Sequence, residues 1–135
     1  MAGHLIRRLH QQSTQTFQAR MQAAGHDLTS VQFAALDAVA QEPGIDQAGL
    51  AATIGYDRAT IGGVIDRLES KGLLRRDVSV HDRRARQLAL TTEGGRWLKA
   101  CRPLVEDLQA DILAPLSRAE RRTFLALARK ALGLA

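Results

Sequence analysis

Apolar residues recur at helical spacing in several runs, which glycine and proline separate, and in one short stretch the pattern becomes strand-like. Leu5, Ile6, Leu9, Phe17 and Met21 predict one long helix from residue 4 to about 24, with the polar run QQSTQT on part of it and Gly25 able to end it. Thr29 opens TSVQ, a threonine followed three residues later by glutamine. This suits a capping box ahead of Val31, Phe33, Leu36 and Val39, in a helix reaching about Gln41. Pro43 and Gly44 break the pattern, Asp46 can cap a short helix through Ala48, Leu50, Ala51 and Ile54, and Gly55 turns the chain toward the next one. That next helix spans Asp57 to Lys71 and gathers Ile61, Val64, Ile65 and Leu68 on one side, with Asp57 placed to cap it. Gly72 can supply a left-handed stop.

Leu73 to Val78 and Gln87 to Leu90 then read as short strands around the polar tip VHDRRARQ. Thr91 or Thr92 can cap a helix holding Trp97, Leu98, Cys101, Leu104, Val105, Leu108 and Ile112, which Pro103 bends or divides and Pro115 ends. SRAE at Ser117 to Glu120 is a second capping box, before an amphipathic helix with Phe124, Leu125, Leu127, Ala128 and Leu132.

Two short helices joined by a Gly55 turn, followed by a hairpin, make a winged helix-turn-helix, so the expected class is mainly α with a small β-hairpin wing. The chain carries no internal repeat or low-complexity linker. It is read as one unit over 1–135, with the winged helix-turn-helix at approximately 29–94 and a helical dimerisation lobe built from 1–28 and 95–135. The flanking helices hold much of the large aliphatic content and need a surface to bury against. A two-fold homodimer supplies one and presents two reading helices about 34 Å apart, matching successive turns of duplex. A monomeric helical core is the rival arrangement.

A length of 135 residues with 45% hydrophobic content fits one or two small cores. The net charge of +5 and pI near 10.3 favour nucleic acid or an anionic surface without requiring either. The opening MAGHLIRRLHQQ lacks the unbroken apolar run of a secretory signal, and no run of about 18 apolar residues occurs. The expectation is therefore a cytoplasmic protein with no membrane segment. A lone cysteine, Cys101, excludes an intrachain disulfide and in an apolar helix reads as a small buried residue.

Distribution changes the picture more than the total. Between Arg67 and Arg86 stand seven cations, Arg67, Lys71, Arg75, Arg76, Arg83, Arg84 and Arg86, opposed only by Glu69, Asp77 and Asp82. A helix and a cationic hairpin on one scaffold make a natural grip on a polyanion, the helix entering a groove and the hairpin reaching the backbone, and double-stranded DNA is the expected partner. Arg58, Thr60, Gly62, Gly63 and Arg67 lie off the apolar stripe and are the groove-facing candidates. Arginines there can pair with phosphates or bidentately with guanine, and Thr60 can bond a base or phosphate. Two glycines inside a helix cost about 1 kcal/mol each relative to alanine. Either close approach to the duplex or tight packing on another helix must compensate. Arg75 and Arg76 can meet phosphates or simply solvate a strand end.

Enzyme chemistry is not expected, because GxSxG, HExxH and a glycine-rich phosphate loop with its lysine are all missing. His4, His10, His26 and His81 have no ligand spacing with one another or with Cys101, so neither metal nor cofactor is expected. Trp97 serves as packing or, alternatively, as a ligand platform.

RATIGGVIDRLESKGLLRR, followed by HDRRARQLALTTEG and flanked by helices in this order, resembles the MarR family of bacterial transcriptional regulators across nearly the whole chain. The resemblance implies a homodimer, a winged helix-turn-helix, and relief of DNA binding by a small molecule or by oxidation. In the wing, Asp82 matches the acidic member of the family's DxR pattern and Arg84 the basic one. Asp82 would orient an arginine for the minor groove, with Arg83, Arg84 and Arg86 competing for that place. Many family members carry larger side chains where Gly62 and Gly63 stand, which implies fewer direct base contacts here.

The family's effector site lies between the dimer helices and the reading lobe. The resemblance therefore points to Arg7, Arg8 and His10, with Phe17 and Phe33 as an aromatic wall, for a planar aromatic carboxylate. Arg7 and Arg8 have the alternative of being solvated or joining dimer salt bridges. LIRRLHQ and RATIGGVIDRLE are most similar to members controlling aromatic or N-heteroaromatic acid catabolism, nicotinate-degradation repressors among them. The expected function is a ligand-responsive repressor acting on a palindromic operator. The alternative, from another class, is an architectural DNA-binding or helical interaction protein without ligand control.

Overall fold

The computed structural model describes residues 1–79, 81 and 86–134. Within them the order is α1 (Ala2–Ala23), α2 (Ser30–Gln41), α3 (Gln47–Ile54), α4 (Arg58–Ser70), β1 (Leu74–Val78), β2 (Arg86–Leu90), α5 (Thr92–Ile112) and α6 (Arg118–Ala131). The fold class is the expected one, mainly helical with a single antiparallel hairpin. No helix among the described residues is long and apolar enough to cross a membrane.

Local chemistry sets most boundaries. Thr29, Asp46, Asp57, Thr91 and Ser117 each cap a helix by accepting a backbone N–H, and Thr29/Gln32 and Ser117/Glu120 form reciprocal capping boxes. Thr91, not Thr92, is the cap of α5. Gly55 and Gly72 take φ of +78° and +74°, so each short helix of the reading lobe ends on a conformation that other residues avoid. Pro103 does not divide α5, which continues unbroken to Ile112. The proline sits on the exposed face, where water can meet the carbonyl that its missing N–H leaves free.

α4 buries Ile61, Val64, Ile65 and Leu68 against α2, α3 and the hairpin, the four residues of its predicted stripe. Completely burying a side chain of this size contributes about 1.5 to 3 kcal/mol, enough to hold the helix by that face alone. β1 and β2 pair Leu74 with Leu90 and Arg76 with Leu88. The break at Pro43 and Gly44 has a role that its composition does not announce. Gly44 N–H donates to Leu88 O at 3.0 Å and Leu88 N–H donates to Ile45 O at 2.9 Å, so this segment lies alongside β2 and ties the start of α3 to the wing.

α5 begins directly after the hairpin. Thr91 N–H donates to Leu73 O at 3.2 Å, and its hydroxyl donates to Gly72 O at 2.6 Å while accepting from Gly94 N–H at 2.9 Å. The contact is so close that a Cβ on residue 94 would stand 1.9 Å from Leu73 O. Further along, α5 packs on α1, where Gln12 Nε2 donates to Ile112 O at 2.8 Å and Arg20 pairs with Asp111 and, at 2.5 Å, with Asp107. The core runs from Phe17 and Met21 of α1 through α2 and α4 to Leu98, Cys101 and Leu108 of α5.

Gly94→Ala is expected to destabilise the protein by about 2 kcal/mol or more, since backbone must shift to admit the methyl. Gly95→Ala, whose added carbon meets nothing within 4 Å, is expected to stabilise it by about 0.5 to 1 kcal/mol. Urea denaturation of the two variants measures both, and equal midpoints would remove the contact from the account.

Candidate nucleic-acid interface and ligand cleft

The exposed side of α4 is built from its first turn. Asp57 accepts Thr60 N–H at 2.8 Å and the Thr60 hydroxyl at 2.8 Å. These bonds, the backbone one foremost, hold the Asp57 carboxyl below the usual carboxylate range. Thr60 therefore has its proton engaged in the cap and offers a partner only its oxygen lone pairs.

The two interior glycines divide between the two explanations available for them. A Cβ on Gly62 would come 3.1 Å from Gln47 Nε2, and that amide donates to Arg58 O at 3.2 Å, so Gly62 serves packing between α3 and α4. Gly63 has nothing within 4 Å and leaves the helix backbone open to approach.

The cations separate in the same way. Lys71 donates to Asp27 O at 2.6 Å and to Gln32 Oε1 at 3.2 Å, fastening the end of α4 to the loop before α2. Arg76 lies against α4 between Asp66 at 2.9 Å and Glu69 at 2.8 Å. Arg75 pairs with Asp77 at 3.1 Å and donates to Leu90 O at 3.2 Å, bracing the hairpin. Arg58 and Arg67 are exposed and form no ion pair with a described residue. Arg86 opens β2, exposed, opposite Val78. Asp82, Arg83 and Arg84 lie outside the described residues.

A cleft of about 460 Å³ runs between α1, α2, α3 and α5. Phe17 and Phe33 line it with ring centres 6.2 Å apart and planes tilted by 51°, forming an aromatic wall. Arg7 and Arg8 are not among the residues that line it within the single chain. Both are exposed near the start of α1, more than two helical turns before Phe17, and Arg8 lines a separate groove with Leu5 and Leu9. His10 instead lines an adjoining cavity of about 570 Å³ with Arg121 and Phe124, and the two cavities share Ser13, Gln109 and Ile112.

The cleft contains a charge that periodicity did not single out. Asp37 of α2 faces it, accepting Arg102 Nη2 of α5 at 2.5 Å and Gln41 Nε2 at 3.0 Å. The Gln41 bond spans four residues of one helix and was legible there. The Arg102 bond joins positions 65 apart and was not.

The sequence pattern of MarR-family proteins matches residues 26–85, the span from the loop before α2 into the wing. "Transcriptional regulator HosA" of Escherichia coli O127:H6 is 37% identical over 129 residues, covering 96% of this chain and 93% of that protein. The chain belongs to the MarR family. "HTH-type transcriptional repressor NicR" of Pseudomonas putida, a further relative, is 34% identical over 128 residues, covering 95% of the chain and 80% of that protein. The fold is also similar to that of BpsR of Bordetella bronchiseptica, solved to show regulation of its DNA binding by 6-hydroxynicotinic acid. The TM-score is 0.88 at 30% identity, covering 97% of this chain and 92% of that one. As a MarR-family member it is a transcriptional regulator rather than an enzyme.

Cys101 is fully buried in this MarR-type helix, and burial pushes its thiol up, away from the reactive thiolate. Trp97 packs against the core, edge to face with His26 at 5.9 Å.

Two caps carry a pH dependence. Asp57 and Glu120 are both held below their ordinary values, Glu120 by the Ser117 bonds. Their contribution is complete above the unfolded carboxylate range, about pH 4, and is lost as pH falls through the lower folded values. Thermal melts between pH 7 and pH 3 should show this acid loss reduced in Asp57→Ser, which keeps a capping oxygen without a titrating group. An identical acid profile in that variant would assign the loss elsewhere.

Proposed function

We propose that the protein is a ligand-responsive repressor that binds a palindromic operator as a homodimer and releases it on binding a small aromatic or N-heteroaromatic acid. The observation that carries this reading is the division of charge on α4 and the hairpin. Lys71, Arg75 and Arg76 are tied to acidic or carbonyl groups of the protein, while Arg58 and Arg67 stand exposed beside the open backbone at Gly63. Cations left over after the scaffold's own pairs are satisfied are the ones available to phosphates and base edges. By the wing motif, Arg83, Arg84 and Arg86 are further candidates for phosphate and minor-groove contact, with Asp82 orienting one of them.

Residues 29–94 act as the reading lobe, and 1–28 with 95–135 as the dimerisation lobe. Supporting the homodimer, α6 is amphipathic yet buries none of its residues within one protomer, leaving Leu125 and Leu127 54% and 60% exposed. Leu5 and Ile6 of α1 are similarly exposed, and such apolar faces mark an interface. Arg7 and Arg8 stand exposed in the same turn of α1. A regulator of this kind meets its operator in the bacterial cytoplasm.

The ligand occupies the cleft with its ring against Phe17 and Phe33. Its carboxylate extends past Ser13 and Gln109 toward His10 and Arg121, since the cleft proper offers no cation among its lining residues. Arg121 Nε is anchored on Leu113 O and Leu116 O, which fixes the guanidinium at the edge of the adjoining cavity. The regulation of BpsR by 6-hydroxynicotinic acid and the repressor role of NicR support both parts of the reading.

Arg67→Ala and Arg84→Ala are each expected to weaken operator binding and to lower the slope of log affinity against log salt by about 0.9 per lost phosphate contact. Fluorescence anisotropy over a salt series measures this, and an unchanged slope in both removes these arginines from the interface. Phe33→Ala is expected to leave operator affinity within about threefold of wild type while weakening release by 6-hydroxynicotinic acid at least tenfold. Normal release in that variant discards the aromatic wall. A wild-type protein that binds random duplex as tightly as its operator refutes the repressor reading.

A further inference from the structure

We infer that Asp37 is the specificity-determining residue of the cleft, selecting aromatic acids that carry a hydrogen-bond donor, a ring N–H or phenolic O–H, at the end remote from their carboxylate. This rests on the ligand-responsive reading above and adds the chemistry by which one acid is told from another.

Asp37 is the one formally charged side chain among the described residues lining the cleft. Its side chain is 30% exposed, and its oxygens offer only acceptor sites, so a ligand carboxylate placed against them finds no donor. A ligand carboxylate is therefore driven to the opposite end, where His10 and Arg121 stand in the adjoining cavity beyond the shared Ser13 and Gln109. The end that remains near Asp37 must offer a donor, because a carboxylate has only acceptor sites.

Asp37 is also held in place for that role. Arg102 takes Oδ1 at 2.5 Å and Gln41 takes Oδ2 at 3.0 Å, from α5 and from α2 itself. Each carboxylate oxygen has a second lone-pair site, so a donor can be accepted while both protein bonds persist. The bond to a ligand is charge-assisted and thus stronger than a neutral pair. 4-Hydroxybenzoate presents a phenolic O–H opposite its carboxylate, whereas benzoate presents only a C–H there, which leaves the Asp37 oxygen without a donor.

Isothermal titration calorimetry with these two acids tests the assignment on the full-length protein. The wild type is expected to prefer 4-hydroxybenzoate by at least about tenfold, the worth of one hydrogen bond to a charged group. Asp37→Ala should reduce that preference below about threefold. Asp37→Asn, which keeps the shape and one acceptor, should reduce it part way. Arg102→Ala removes the ion pair but keeps the carboxylate, and should retain the preference. Equal affinity of the wild type for the two acids overturns the assignment, as does an undiminished preference in Asp37→Ala or Asp37→Asn. Failure of both acids to bind the wild type overturns the ligand reading itself, a different outcome from binding without discrimination.

Discussion

The first turn of α5 lies against the backbone of Leu73 so closely that residue 94 has room for hydrogen only. Leu73 joins the end of the reading helix to the wing, so this single contact fixes three elements at one point. Thr91 completes the joint by donating to Gly72 O and Leu73 O while capping α5. Helix α5 therefore cannot rotate independently of the hairpin at this end. What α5 does further along its length, against α1 and α2, is carried to the reading head through a rigid connection. Lys71 acts in parallel, fastening the C-terminal end of α4 to the loop between α1 and α2.

That rigidity explains how the basic charge is used. A net charge of +5 describes the long-range field but not the interface. Lys71 and Arg76 help hold α4 in place, and Arg75 braces the hairpin on Leu90 O. Their worth is mainly geometric, since partly exposed pairs add little stability. The exposed arginines of α4 benefit from being presented on a helix whose position other cations have fixed.

Much of the fold was legible because its signals are local. The caps at Thr29, Asp46, Asp57 and Ser117 and the stops at Gly55 and Gly72 are decided within three or four residues, and the stripe on α4 repeats within two turns. Pro103 misled in one respect, because its effect depends on which face of α5 it occupies, and solvent exposure tolerates it. The pairing of Gly44 and Ile45 with Leu88 was invisible, since nothing in PGI marks a third segment beside the hairpin. The site was legible only in part. Off-stripe residues of α4 follow from periodicity, yet Gly62 and Gly63 sit next to each other in sequence and differ only through Gln47 on another helix. Arg7 and Arg8 were grouped with Phe17 through the resemblance, whereas the cleft of a single chain is lined by the residues that several helices turn toward it.

The same geometry connects ligand to operator. α5 is held to α1 by Arg20 with Asp107 and Asp111, and to α2 by Arg102 with Asp37, on either side of the cleft. A ligand seated there touches all three helices, so its binding energy differs between any two arrangements of α5 relative to α2. Only such a difference can shift the population between operator-competent and released states. Asp37 belongs to the cleft wall and to the tie between α2 and α5, so the group proposed to recognise the donor end of a ligand is bonded to the helix that begins at the wing. In the proposed homodimer, occupancy and the spacing of the reading heads are coupled through adjacent, directly bonded elements, and the tight packing at Gly94 is what prevents a displacement of α5 from being absorbed before it reaches α4.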